Sequence, residues 1–290
     1  MFVVPFAPGG GTDAFARPMA AQLDTQLGQR ILIENKAGAG GTLGASYAAK
    51  QPADGYTFLI AATHHTIAPS IYPKLDYDIE KDFVPVIMLA RPPHVVSVHP
   101  GKIQATTLKD FIAYAKANQV NYASAGAGTT HHLAGEFFNI QAGVKLNHVP
   151  YRGAAPAVID TVAGHVSLLF AAYGSVSGQM QSGKLKALAV TSAKRISAAP
   201  QLPTVAEAAL PGFDSTQWWG AYGPAGMNAD IVNRLNRELN VILATADMRK
   251  RLSADGADPA GGTPADLAAH HKADFERWQK VIRDAGIKGE

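Results

Sequence analysis

Cysteine is absent from the 290 residues. Disulfides, thiol catalysis and cysteine-based metal sites are therefore excluded, and the absence fits an oxidising or a reducing compartment equally. Charge is sparse: 17% of residues are Asp, Glu, Lys or Arg, with a net charge of +3 and no basic block. Nucleic acid is accordingly not an expected partner, whereas small anionic ligands remain open. No run of roughly 18 apolar residues occurs, so no membrane-spanning helix is expected. The motifs G-x-S-x-G, H-E-x-x-H and G-x-x-x-x-G-K-[ST] are also missing. The stretch "GAGGTLG" (38–44) superficially resembles a dinucleotide fingerprint, yet the next strand, "YTFLIAAT", lacks the acidic residue that would hold a ribose.

What is present suffices for a globular protein. With 47% hydrophobic residues the chain can bury a full core, and its length suits one large or two medium domains. It opens on Met1-Phe2-Val3-Val4, already inside an expected strand. A natural N-terminus seldom starts there, which leads us to expect a leader removed upstream.

Short apolar runs alternate with helical patterns. Val3 to Phe6 reads as a strand, after which Phe15, Met19, Leu23 and Leu27 recur every four residues on one helix face, with Pro18 inside that helix. "RILIEN" and "YTFLIAAT" read as strands flanking the helix "TLGASYAAKQ". The rhythm repeats in "TTLKDFIAYAKAN", "VNYASAG", "HHLAGEFFNIQAG", "LNHVPY", "APAVIDTVAG", "VSLLFAA" and "LKALAVTS". Two further helices close the chain, one over 229–244 and one capped by Thr263 with Pro264, Asp266 and a stop at Gly286. Strand–helix alternation predicts an α/β fold with a largely parallel sheet. The Pro-rich stretch 90–100 and the Gly/Pro/Trp stretch 210–226 read as two crossings between domains. They divide the chain into a discontinuous first lobe, 1–97 plus 221–290, and a second lobe, 98–220, hinged around a cleft.

Two glycine loops stand directly before helices, "APGGGTDAF" and "SAGAGTTHH". A strand that runs through glycines into a helix exposes amide N–H groups at the positive end of the helix dipole, a site for an anion. The same glycines also serve a tight turn with no ligand. Asp13 either caps the first helix or meets a positive ligand group, and Arg17, four residues on, either pairs with Asp13 or binds a carboxylate. Arg152 is the other cationic candidate. Trp218 and Trp219 wall a cleft or, preferably, pack at the hinge. His132 and Glu136 are four apart, but no further metal ligand stands at readable spacing. No metal and no cofactor is expected, no acid–base pair is marked for catalysis, and no extensive self-association surface is visible, so a monomer is expected.

In order, "VVPFAPGGGTDAFAR", "GQRILIENKAGAGGTLGA", "PADGYTFLIAAT", "SAGAGTTHHLAGEFF" and "HVPYRGAAPAVIDTVAGHVSLLFAA" resemble the Bug family, the solute-binding proteins of tripartite tricarboxylate transporters. The resemblance covers essentially the whole chain. It implies a periplasmic, two-lobed binding protein of the Venus-flytrap kind, with mostly parallel sheets and a cleft between lobes. Such a protein is not an enzyme: it closes on a small organic acid and delivers it to membrane permease subunits. A ligand-sensing module or a carboxylate-processing enzyme are the other readings. By position, the resemblance places ligand contacts at Phe6, Ala7, Gly9, Gly10 and Asp13, at Ser124, Ala125, Gly126, Gly128 and Thr129, at Thr63 and His65, and at Asp160 and Ala171. Ala127 stands where relatives often carry Asn, and His131 where a small polar residue is usual. A more apolar, His-lined far end suits an aromatic or aliphatic dicarboxylate better than citrate.

Overall fold

The computed structural model describes residues 1–287 apart from Gly10, Pro73 and Arg152. The expected roles of Gly10 and Arg152 therefore fall outside the described residues. The first ninety residues form β1 (Phe2–Val4), α1 (Gly11–Leu27), β2 (Ile33–Asn35), α2 (Thr42–Ala49), β3 (Phe58–Ala62), α3 (His64–Ile71) and β4 (Phe83–Ala90). Then follow β5 (His94–Val98), α4 (Leu108–Ala117), β6 (Val120–Ser124), α5 (Thr130–Ala142), β7 (Leu146–Pro150) and α6 (Ala154–Val162). The middle section ends with β8 (Leu168–Ala172), α7 (Tyr173–Gln181), β9 (Lys186–Val190) and α8 (Val205–Ala208). The remaining elements are β10 (Trp219–Pro224), α9 (Ala229–Ala244), α10 (Ala246–Ala254), β11 (Pro259–Gly261) and α11 (Pro264–Ala285).

These strands build two mixed sheets, ordered β11-β4-β10-β3-β1-β2 and β7-β6-β8-β5-β9. Most strands of each sheet point one way. The exceptions are β10 and β11 in the first sheet and β5 in the second, each antiparallel to its neighbours. Helices cover both faces of both sheets. In the first, Phe15, Met19 and Leu23 of α1 and Leu235, Leu239 and Ile242 of α9 bury one face, while Ala45, Ala48 and Leu267 bury the other. In the second, Phe111 and Phe138 lie on one face and Ala157, Val158 and Val176 on the other. Local chemistry sets the helix starts: α4 and α11 carry reciprocal capping boxes, Thr107 with Asp110 and Thr263 with Asp266, each satisfying two amides that no helical bond reaches.

The chain changes sheet twice. The expected divisions at 97/98 and 220/221 fall inside β5 and β10, and each of those strands belongs wholly to one sheet. The passages are therefore 91–93 and the segment before Trp219. The valine-rich "HVVSV" was obscured by the prolines before it. β10, "WGAYGP", reads as loop by composition, yet it is a central strand. A Cβ on Gly220 would lie 3.2 Å from Leu267 Cδ1, so glycine there lets α11 approach the sheet closely.

The two passages lie side by side, Gln217 N–H donating to the Pro92 carbonyl at 3.2 Å. They are anchored by Asp274 of α11, 2% exposed. Its carboxylate accepts from the Trp218 indole Nε1–H at 2.8 Å and the Thr66 hydroxyl at 2.8 Å, and pairs with Arg277. Trp218 and Trp219 thus serve packing: Trp218 is fully buried and Trp219 stacks on Phe15 at 5.1 Å. An apolar cluster of Ile67 and Ile71 from α3, Leu133 from α5, and Trp278, Val281 and Ile282 from α11 joins the lobes. Asp274→Ala removes the acceptor of the indole and the carboxylate partner of Arg277, which among the described residues keeps only the Asp214 carbonyl, and should cost about 3 kcal/mol in urea denaturation; a loss under about 1 kcal/mol would contradict this role.

Candidate functional site

The first glycine loop is held by a buried carboxylate. Asp13, in the first turn of α1 and 2% exposed, accepts from Gly9 N–H at 2.9 Å, Asn35 Nδ2 at 2.8 Å, and Arg17 Nε and Nη2 at 2.8 and 2.9 Å. Burial opposes its ionisation, but the bonds from Arg17, Gly9 and Asn35 together outweigh burial and hold the carboxyl below its ordinary range. Arg17 is thereby spent on Asp13. The pair is neutral overall, so the loop does not present a bare negative charge. Asn35 also donates to the Phe6 carbonyl at 3.0 Å, tying β2 to the loop. Ala7 and Gly9 are exposed. Gly11 and Thr12 open α1, where helix geometry leaves their N–H groups without an internal acceptor.

The second loop uses neutral acceptors for the same purpose. Gly126 N–H donates to Ser124 Oγ at 3.1 Å, and Gly128 N–H donates to His132 Nδ1 at 3.0 Å. Thr129 caps α5 by accepting from His132 N–H, and its hydroxyl donates to the Gly126 carbonyl at 2.7 Å. At φ 132° and 70°, Gly126 and Gly128 occupy backbone that other residues seldom adopt. The glycines therefore shape this turn, and their amides are consumed within it. Among the described residues no acceptor faces the N–H groups of Ala125, Ala127, Thr130 or His131.

Behind this loop stands a ring stack. His132 lies flat on His148 at 3.8 Å and 8°, and Tyr122 stacks on His148 at 5.1 Å. Tyr122 donates to Glu136 at 2.6 Å, and Ser124 Oγ lies 2.5 Å from His148 Nε2. Burial pushes His132 and His148 down to about 4, the charge of His132 adding to the effect on His148 and Glu136 opposing it. Neutral His132 can therefore accept from Gly128. The spacing of His132 and Glu136 supports the loop rather than a metal: among the described residues no three His, Asp or Glu side chains are grouped to hold one. His148, 24 residues from Ser124, carried no sequence signal.

Both loops abut α3. Phe6 meets the rings of His64 at 5.1 Å and His65 at 6.5 Å, while a Cβ on Gly128 would lie 3.0 Å from Ile71 Cδ1. His64 and Ile71 are separated by roughly 10 Å of helix at its 1.5 Å rise, so one short helix from the first lobe bridges the loops. Thr63, buried, accepts from Trp218 N–H at 2.8 Å, and His65 Nδ1 accepts from Ala62 N–H at 3.0 Å. Two positions lie apart from this group. Asp160 accepts from the Tyr151 hydroxyl at 2.8 Å, and Tyr151 N–H bonds the Ser124 carbonyl at the base of the second loop. Ala171 is fully buried, packed with Val95 and Ala157 in the core beneath α6.

Residues 15–287 match the sequence model described as tripartite tricarboxylate transporter family receptor. The chain belongs to this receptor family. BugT of Bordetella pertussis is 36% identical over 290 residues, 99% of this chain and 89% of that protein. Among solved structures, Rpa4515 of R. palustris with adipate has a TM-score of 0.89 at 38% identity, covering 100% of this chain and 97% of that one. MatC of Rhodopseudomonas palustris with bound malate has a TM-score of 0.84 at 33% identity, covering 97% and 98%. As in this receptor family generally, the two-lobed α/β fold is that of solute-binding proteins rather than of enzymes.

The receptor also carries a pH signature. Burial pushes His65 down to about 4, with the Ala62 and Gly41 backbones opposing it, and burial alone takes His131 to about 4. The unfolded chain, with ordinary values near 6.5, binds more protons than the folded one between about 6.5 and 4. Stability is therefore lost as the pH falls through that window. The melting temperature of the ligand-free protein should drop steadily from pH 7 to pH 4; a flat profile would show these imidazoles to be ionised in the fold.

Proposed function

We propose that this chain is a periplasmic solute-binding protein that closes over a small organic acid and delivers it to the membrane permease of a tripartite tricarboxylate-type transporter, acting as a monomer. One observation carries the reading. Gly9, Gly126 and Gly128 spend their amides on Asp13, Ser124 and His132, while the helix starts beside them carry N–H groups with no acceptor inside the helix. A carboxylate supplies the acceptors these groups lack. Its contacts are proposed to come from the Phe6–Thr12 loop, from Ala125, Ala127 and the start of α5, and from the Thr63–His65 turn. Asp13, Ser124, Gly126, Gly128, Thr129 and Asp160 hold those contacts in place.

The energetics require closure. A helix start contributes about 0.3–1 kcal/mol, whereas micromolar affinity needs about 8 kcal/mol. Hydrogen bonds to a charged group contribute roughly 1.5–3 kcal/mol each, so at least three or four must form in a site from which water is excluded. Only two lobes shutting on the ligand provide that. Catalysis finds no support in the same groups: Ser124, the serine beside His148, is 0% exposed, and its Oγ accepts from Gly126.

The acids bound in the neighbouring structures, adipate and malate, place small dicarboxylates first in a screen. Adipate at a hundred times its dissociation constant should stabilise the protein by about 2.7 kcal/mol in thermal denaturation and be recovered chemically unchanged. Asp13→Asn, which unbalances Arg17 and frees Gly9, should weaken binding by about tenfold or more. A panel of mono-, di- and tricarboxylates without effect on stability, or turnover of a bound acid, would contradict the reading.

A further inference from the structure

Three imidazoles, His64 at the start of α3, His131 at the start of α5 and His94 at the start of β5, each carry a buried Nδ1 without a hydrogen-bond partner. His64 opens α3 from the first lobe, partly buried against Phe6. His131, 8% exposed, is the second residue of α5 in the second lobe, and its ring lies edge-on to His94 at 4.8 Å. His94, fully buried, begins β5, with Nε2 3.4 Å from the Thr130 hydroxyl. The Nδ1 atoms of His64 and His131 are buried without a hydrogen-bond partner. Leaving such a group unpaired is unfavourable, and a buried polar atom without a partner calls for one.

The charges that act on the trio are of one kind: His65 and His131 disfavour a proton on His64, and His131 and His64 disfavour one on His94, where the Ser215 backbone acts the other way. On His131 burial acts alone. Among the described residues no carboxylate acts on any of the three, and Arg17 is already paired with Asp13. Burial, with the neighbouring rings adding to it, takes His64 down to about 3, and burial takes His131 to about 4, so both rings are neutral in the ligand-free protein.

We propose that His64 and His131, reaching from opposite lobes, hold the second carboxylate of a dicarboxylate ligand, and that closing on the dianion draws a proton from solvent onto this pair. The inference rests on the carboxylate-capture reading and adds the ligand class and its linkage to pH. The helix-start amides accommodate one carboxylate. A second negative charge shut into the same dry space is unfavourable without a counter-charge, and an imidazole is the group there that can supply one. A carboxylate beside it favours the protonated ring. The balance is simple: neutral imidazole, one proton from bulk water and a carboxylate give an imidazolium–carboxylate pair, with no bond to carbon made or broken. His94 is a positioning residue that holds the His131 ring edge-on.

Isothermal titration calorimetry of the intact protein at pH 6.5, in phosphate and in Tris, tests this with adipate and hexanoate. The observed heat for adipate should differ between buffers in the sense of proton uptake, and that for hexanoate should not. Adipate affinity should weaken severalfold from pH 6 to pH 8, and His131→Gln or His64→Gln should flatten that profile and abolish the uptake. Should either variant misfold, the 15N shifts of the His131 imidazole in the wild-type protein read the same event, moving to the protonated position on adipate binding. Adipate binding without proton uptake, or uptake unchanged in both variants, overturns this inference alone. Absence of binding by every acid overturns the proposed function together with it.

Discussion

A buried carboxylate has to be satisfied on both oxygens, and Asp13 meets that condition with donors from three elements: Gly9 of the loop, Arg17 of α1 and Asn35 of β2. The arrangement fixes the first loop against helix and sheet and turns one amide inward. Because the Arg17 guanidinium cancels the charge, the clamp does not repel an anion arriving at the helix start. The second lobe reaches the same end without a carboxylate. Ser124 and His132 accept the glycine amides, the stack of His132, His148 and Tyr122 holds the accepting ring flat, and burial keeps it neutral. Each lobe thus pre-forms half of an acceptor-poor surface, which is what an oxygen-rich anion fits.

The scaffold around these loops keeps them close. Among the described residues two passages join the sheets, and they bond to each other. Asp274 fastens Trp218 and α3 to the C-terminal helix, whose far end touches α5 through Trp278 and Phe137. α3 is consequently the common wall, with Phe6 against its start and the second loop against Ile71. An anion held at both helix starts would lie along it.

Much of this was legible in the residues. Periodicity gave α1, α4, α5, α9 and α11, because apolar spacing and capping chemistry are local. The glycine loops were legible as strand-to-helix turns. Three classes of feature were not. β10 hides behind Gly220, Gly223 and Pro224, whose composition mimics a loop while a close helix approach demands glycine. α3 contains Pro69 and spans eight residues, too few for a periodic pattern. Which amides stay free depends on partners distant in sequence, such as Asn35 for Asp13 and His148 for Ser124, and no spacing rule reports them. Gly9, Gly126 and Gly128 give their amides to side chains of the same loops, a pairing that no local pattern reports.

In the proposed function one acid engages both loops at once through the helix-start amides. A 1H–15N correlation spectrum titrated with adipate measures it residue by residue. The resonances of Gly11, Thr12, Ala125, Ala127, Thr130 and His131 should move together along a single binding isotherm, while the amides of Gly9 and Gly128, already bonded within the protein, move less. Shifts confined to one lobe, or lying outside both loops, would contradict it.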